Sequence, residues 1–140
     1  MYIYEEMVDV LYSKFPELIE KYSNEIEYYR ELYREYGDNE AAAYSHYENI
    51  FNGFIENALS NEPEGSSLLK RIFTFFEEMA NSEDGGVRNL LQVALLESIW
   101  SIGYPAYKRA NTLMLPQTRN LSLELIRYLN EPQPHSKDLL

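Results

Sequence analysis

Two histidines, a scatter of carboxylates and a crowd of tyrosines are the side chains of this 140-residue chain that could do chemistry. His46 is the better placed histidine, with Tyr44, Tyr47 and Glu48 close in sequence. An imidazole beside a carboxylate is the raw material of general acid–base catalysis or of a metal site, but either role needs an oriented partner. On a helix the neighbours of His46 at i+3 and i+4 are Asn49 and Ile50, which supply neither a ligand nor a base. A di-iron bundle needs two Glu-x-x-His motifs, and the chain has none. His46 therefore reads as a helix-surface residue, and His135, beside Pro134, as an exposed tail residue.

Carboxylate pairs occur at Glu5–Glu6, Glu77–Glu78 and Glu83–Asp84, and their abundance makes each one uninformative. Glu77 and Glu78 close an amphipathic helix opposite Phe73 and Phe76, where solvated charge belongs. There is no Gly-x-Ser-x-Gly elbow, and the "EDGG" at Glu83–Gly86 lacks the lysine and the spacing of a phosphate loop. With no cysteine, disulfides, thiolate metal sites and cysteine nucleophiles are excluded. The residues point to no enzyme, no metal and no cofactor.

Binding is the chemistry that remains. The net charge of -11 is unevenly spread: residues 1–65 hold 15 Asp and Glu against four Lys and Arg, and residues 66–140 hold eight of each sign. Ten of the 13 tyrosines fall at or before Tyr47. An acidic half repels a phosphate backbone, so a nucleic-acid partner is not expected, while a basic protein would be steered toward it. Tyr22, Tyr29, Tyr33 and Tyr36 fit the inner stripe of a helix, whereas Tyr28 and Tyr44 do not. The candidate partner-binding face is Glu25, Glu27, Tyr28, Glu31, Glu35, Asp38, Glu40, Tyr44 and Glu48. Aromatic rings there supply contact area, and carboxylates pair with Lys or Arg across the interface.

The elements that must position these groups are all helical, and no stretch alternates like a strand. Ile3, Met7, Val10 and Leu11 share one face of a short first helix. A second opens at Pro16, carries Leu18 to Tyr36 at spacings of three and four, and stops at Gly37. Tyr47, Ile50, Phe51, Phe54, Ile55, Ala58 and Leu59 form the stripe of a third. Ser66 or Ser67 caps a fourth, with Leu69, Ile72, Phe73, Phe76, Met79 and Ala80 inward. Asp84 caps a fifth, apolar on nearly every side from Val87 to Trp100 and so expected at the centre. Gly103 and Pro105 break it before a short sixth helix, and Pro116 opens a seventh with Leu121, Leu125, Tyr128 and Leu129 inward.

The expected fold is all-α with about seven helices: a short stack of helical hairpins or an irregular bundle, residues 1–130 forming one domain and 131–140 a flexible tail. No apolar run approaches the 18 or so residues of a membrane span, and the N-terminus has no basic, apolar leader. A cytoplasmic protein with no membrane contact is expected.

The stretch "SEDGGVRNLLQVALLESI" at Ser82–Ile99 resembles a HEAT repeat, in which an acidic turn precedes Val-Arg and an apolar second helix. The resemblance covers about 30 residues from Leu69. It implies that Asp84 (or Glu83) pairs with Arg88 to brace the turn, and that Val87, Leu91 and Leu95 pack on the neighbouring hairpin. HEAT-like folds can hold DNA, but only with a basic channel that the first half of this chain opposes. More broadly, "FPEL" at Phe15–Leu18, "IFTFFEEMANSEDGGVRNLL" at Ile72–Leu91 and "LPQTRNLSLELIRYL" at Leu115–Leu129 are similar to a group of small, acidic, all-helical bacterial proteins. Some of that group serve as immunity proteins in toxin systems. The resemblance implies a non-catalytic protein that neutralises a basic toxin through its acidic, tyrosine-rich face. The alternative is an adaptor acting through an apolar groove or by self-association, with Trp100, Tyr104 and Tyr107 foremost.

Overall fold

Helix punctuation in this chain is mostly local chemistry, and the computed structural model shows the expected caps at work. It describes residues 1–37 and 39–130, with the side chains of Tyr36, Asn39 and Glu40 outside the description. A 3-10 turn at Tyr4–Glu6 leads into α1 (Met7–Lys14), α2 (Glu17–Lys21) and α3 (Ser23–Tyr36). The single helix expected from Pro16 to Gly37 is broken at Tyr22, whose φ of -121° and ψ of 30° leave the helical region. Gly37, at φ 69°, ends α3 in the left-handed conformation that glycine adopts without a Cβ clash.

The third expected helix begins earlier than its apolar stripe, as α4 (Asn39–His46), and continues through a π-helical turn at Tyr47–Phe51 into α5 (Asn52–Asn61). Ser66 caps α6 (Ser67–Ala80), its hydroxyl accepting from the Leu69 N–H at 3.3 Å. Asp84 caps α7 (Gly85–Asn89) by accepting from the Gly86 N–H at 2.8 Å. From α7 the chain runs through a second π segment, Leu90–Leu96, into α8 (Glu97–Ser101). Gly103, at φ 130°, separates α8 from α9 (Tyr104–Leu113), and Pro116 opens α10 (Pro116–Asn130) as expected.

The result is an all-α helical bundle, with no strand among the described residues. Its centre is the Leu90–Leu96 segment, packed against α4, the Tyr47–Phe51 turn, α6 and α10. Leu90, Leu91, Ala94 and Leu95 there have no exposed surface. Phe51 is the hub of an aromatic cluster with Phe15 at 4.9 Å, Tyr47 at 5.8 Å, Phe75 at 6.0 Å and Phe76 at 6.4 Å between ring centroids. These tilted and edge-on contacts suit ring quadrupoles and add to the burial of their area.

A wide π turn leaves backbone carbonyls without their usual i+4 donor. Asn52 braces the second π segment, donating from Nδ2 to the Ala94 carbonyl at 2.7 Å, which also accepts from the Ser98 hydroxyl, and to Ser98 Oγ at 3.0 Å. Polar clamps finish the bundle. Arg71 makes a fork to the Glu17 carboxylate at 2.8 and 2.9 Å and reaches the Lys14 carbonyl at 2.9 Å, tying the α1–α2 corner to α6. Glu77 accepts from the Gln117 and Thr118 N–H groups and from the Thr118 hydroxyl. It is therefore the N-terminal anchor of α10 rather than a solvated charge, because a carboxylate at a helix start satisfies orphan donors.

Candidate functional site

The site grows from α3 and the two elements it covers. Ile26 is buried on the inner face, and Tyr29, Leu32 and Tyr33 are half-buried beside it. At about 100° per residue the opposite ridge carries Glu27, Glu31 and Glu35, spaced i, i+4 and i+8, with Tyr28 alongside. Glu25 and all three ridge carboxylates are exposed, and Tyr28 is 61% exposed. None of these carboxylates makes a hydrogen bond or ion pair with another described side chain; the ion pairs among described residues are Lys14–Glu78 and Arg71–Glu17. Five of the expected face residues, Glu25, Glu27, Tyr28, Glu31 and Glu35, thus lie together on one helix.

Tyr44 and Glu48 do not join them. Asp38 lies outside the described residues, as does the Glu40 side chain. Tyr44 is half-buried, and its hydroxyl accepts from Asn89 Nδ2 at 2.6 Å. Glu48 is exposed but lines a different groove, with Asn52, Glu56 and Glu97. It lies two residues beyond His46, which turns it roughly 200° away from the side that faces α3.

Between α3 and the N-terminal segment lies a cleft of about 480 Å³. Tyr29, Arg30, Tyr33 and Arg34 of α3, Glu5, Val8 and Asp9 of the N-terminal segment, and Ala42 and His46 of α4 contribute to its lining. Sequence reasoning missed this assembly. His46 is not a surface residue: it is 1% exposed, and its Nδ1 lies 2.6 Å from the Tyr12 hydroxyl. The rings of Tyr12 and Tyr29 meet it edge-on at 5.5 and 5.8 Å. Its partner is 34 residues away, so no i+3 or i+4 pattern could show it.

Burial, and then the nearby Arg30 charge, hold the His46 pKa down to about 4, so the ring is neutral at pH 7. Burial pushes the Tyr12 phenol the other way, well above its ordinary value. The Arg30 guanidinium stands 5.6 Å over the Tyr12 ring. The tautomer follows from satisfaction. Were Nδ1–H the donor, the hydrogen of the buried Tyr12 hydroxyl would need a second acceptor, and no described residue supplies one. Tyr12 therefore donates, Nδ1 accepts, and the proton sits on Nε2. Every fully buried side-chain nitrogen or oxygen among the described residues has a partner, so the unpartnered Nε2 is the edge of the ring that meets the cleft.

The turn at Ser82–Gly86 also departs from expectation. Asp84 does not pair with Arg88; its carboxylate accepts from the Tyr4 N–H at 2.8 Å as well as from Gly86. Those N–H groups, Tyr4 first, hold its pKa below the usual value. Arg88 instead donates to the Ser82 carbonyl. Val87, Leu91 and Leu95 are fully buried. Among the described residues no three His, Cys, Asp or Glu side chains come together as a metal cage. No helix of the described residues is long and apolar enough to cross a membrane.

Fold and cleft together define a small all-α domain built around an apolar central helix. Residues 8–130 match the DUF7674 family, a domain of unknown function, and the chain belongs to that family. No curated protein and no solved structure matches it.

Proposed function

We propose that the chain is a non-catalytic protein-binding domain that takes a basic partner on the outer ridge of α3. Its most concrete form is a cytoplasmic immunity protein that neutralises a basic toxin. One observation carries the reading: Glu27, Glu31 and Glu35 stand exposed on one ridge with no described side chain neutralising them. Arg30 and Arg34, which could have paired with them at i+3, line the cleft instead. Unneutralised like charges on one helix face cost stability, and a basic surface would relieve that cost.

Affinity capture with the full chain, followed by binding measurements against whatever basic domain co-purifies, tests the reading. Glu31→Lys with Glu35→Lys should weaken binding by about tenfold or more, mostly through the association rate, and high salt should mimic the effect. Unchanged affinity and salt dependence would remove the ridge from the interface.

A second reading, an adaptor acting through apolar surface or self-association, draws on Trp100 at 38% and Tyr104 at 71% exposure beside the Gly103 break. Tyr107 is half-buried in a separate groove with Leu123 and contributes less. Sedimentation that shows a monomer at every concentration would dispose of the self-associating form.

A further inference from the structure

Four charged side chains of the described residues border the α3 cleft, and none of them makes an ion pair, although the Arg30 guanidinium lies over the Tyr12 ring. Arg30 and Arg34 come from α3, Glu5 and Asp9 from the N-terminal segment, and all four are exposed. The described lining thus holds two cations and two anions, yet no ion pair or side-chain hydrogen bond joins any of them to a described residue. Opposite charges sharing so small a space would pair if they could reach one another, so the cleft keeps its two signs apart.

His46 supplies the second observation. It is buried, with 1% exposure, and its Nε2–H has no acceptor among the described residues. A donor fixed in a buried ring, with its tautomer set by Tyr12, is a preorganised hydrogen-bond group rather than a solvated one. It stands in the same cleft as both arginines. The cationic side therefore offers two guanidinium groups, suited to forked hydrogen bonds with a carboxylate, and one neutral N–H. Tyr29 and Tyr33 add ring surface to the lining.

We propose that this cleft binds a small zwitterion, an amino acid or short peptide with free ends, whose carboxylate meets Arg30, Arg34 and the His46 Nε2–H while its ammonium faces Glu5 and Asp9. A volume of about 480 Å³ suits a molecule of that size. The global field sharpens the choice. A chain of net charge -11 repels a simple anion and draws simple cations to many places, but is indifferent to a ligand of zero net charge. A plain carboxylate would leave Glu5 and Asp9 facing like charge, and a plain amine would meet the arginines. Only a ligand with both signs satisfies both walls. The site is independent of the α3 ridge, since the substitutions that test the ridge touch none of these four residues.

The test uses the full-length 15N-labelled chain titrated with glycine, L-leucine, diglycine and triglycine, with acetate and methylammonium as single-charge probes. Calorimetry gives affinity, and amide and imidazole NMR signals give location. At least one zwitterion should bind saturably and shift the Ala42 amide and the His46 ring, with acetate and methylammonium about tenfold or more weaker. Arg34→Gln, at an exposed position whose loss leaves the fold intact by circular dichroism, should weaken the zwitterion by about tenfold or more. Glu5→Gln with Asp9→Asn should weaken the zwitterion and leave acetate unchanged or slightly tighter. The proposal is overturned if no zwitterion saturates, if acetate binds as well as the zwitterion, or if Arg34→Gln and Arg30→Gln both leave affinity unchanged.

Discussion

Acid should destabilise this protein through a single buried imidazole, and the size of the effect can be worked from the site. His46 has a pKa of about 4 in the folded chain against 6.5 when free. Between those values the unfolded chain binds a proton that the folded one refuses, so stability rises with pH across the window. The contribution is fully present above about pH 6.5 and is lost as pH falls toward 4. At about 1.4 kcal/mol for each pH unit, the drop sets a ceiling of about 3 kcal/mol, and water in the open cleft discounts that to about 2. The comparison is with Tyr12→Phe/His46→Leu, which removes donor and acceptor together and so leaves no orphaned hydroxyl. Carboxylates such as Glu17, whose pKa is lowered first by the Arg71 hydrogen bond, also cost stability in acid, but equally in both proteins, so they cancel in the comparison.

Urea unfolding at pH 7, 6, 5 and 4.5 should therefore show the native chain losing about 2 kcal/mol more than the double variant over that range. A direct reading comes from the ring itself. The chain has two histidines, so His135→Gln leaves His46 as its one imidazole, whose NMR signals should titrate near pH 4. Parallel stability curves for the two proteins, or a titration near 6.5, would refute the buried, neutral assignment and with it the Nε2–H donor.

Arg109 donates from one guanidinium nitrogen to the Leu59 carbonyl at 2.6 Å and from the other to the Glu62 carbonyl, closing the C-terminal end of α5. Arg109→Lys should cost about 1–3 kcal/mol in urea unfolding despite keeping the charge, because an ammonium cannot span both carbonyls. Asn52→Ala should cost about 1–2 kcal/mol by removing a donor shared between the Ala94 carbonyl and Ser98. Hydrogen exchange in that variant should quicken first across Leu90–Ser101, and exchange spread evenly over the bundle would mean that the π segment does not depend on Asn52.

Helix boundaries were legible where a residue acts on its own backbone. Ser66, Asp84, Gly37 and Pro116 do at their helix ends what the same residue types do in any chain. The apolar stripe from Tyr47 to Leu59 was legible for the same reason, since burial repeats every three or four residues and all seven stripe residues are buried. Ile3 and Tyr128, read as inward, are 43% and 60% exposed. The break at Tyr22 and the two π turns had no local signature. What escaped reading was every role set by a distant partner: His46 with Tyr12, Glu77 with α10, Arg88 with a backbone carbonyl rather than a carboxylate. A ridge on one helix can be found by counting, but a cleft between three elements cannot.

The Ser82–Gly86 turn shows how far those distant roles reach. In a repeat array its carboxylate would brace a neighbouring repeat, yet here Asp84 holds the Tyr4 N–H and the Ser82 hydroxyl donates to the Tyr2 carbonyl at 2.7 Å. Gly86 leaves room for that approach, since a Cβ there would stand 3.2 Å from the Tyr4 Cβ. The N-terminal strap is thus fixed to the central hairpin from one side, while the buried Tyr47 hydroxyl holds the Met7 carbonyl from the other. Glu5 lies between those two anchors and Asp9 one turn beyond, so the acidic wall of the cleft is positioned by a turn some 80 residues away in sequence. The glycine-rich stretch that resembles a repeat turn is, through these contacts, the clamp that shapes the cleft.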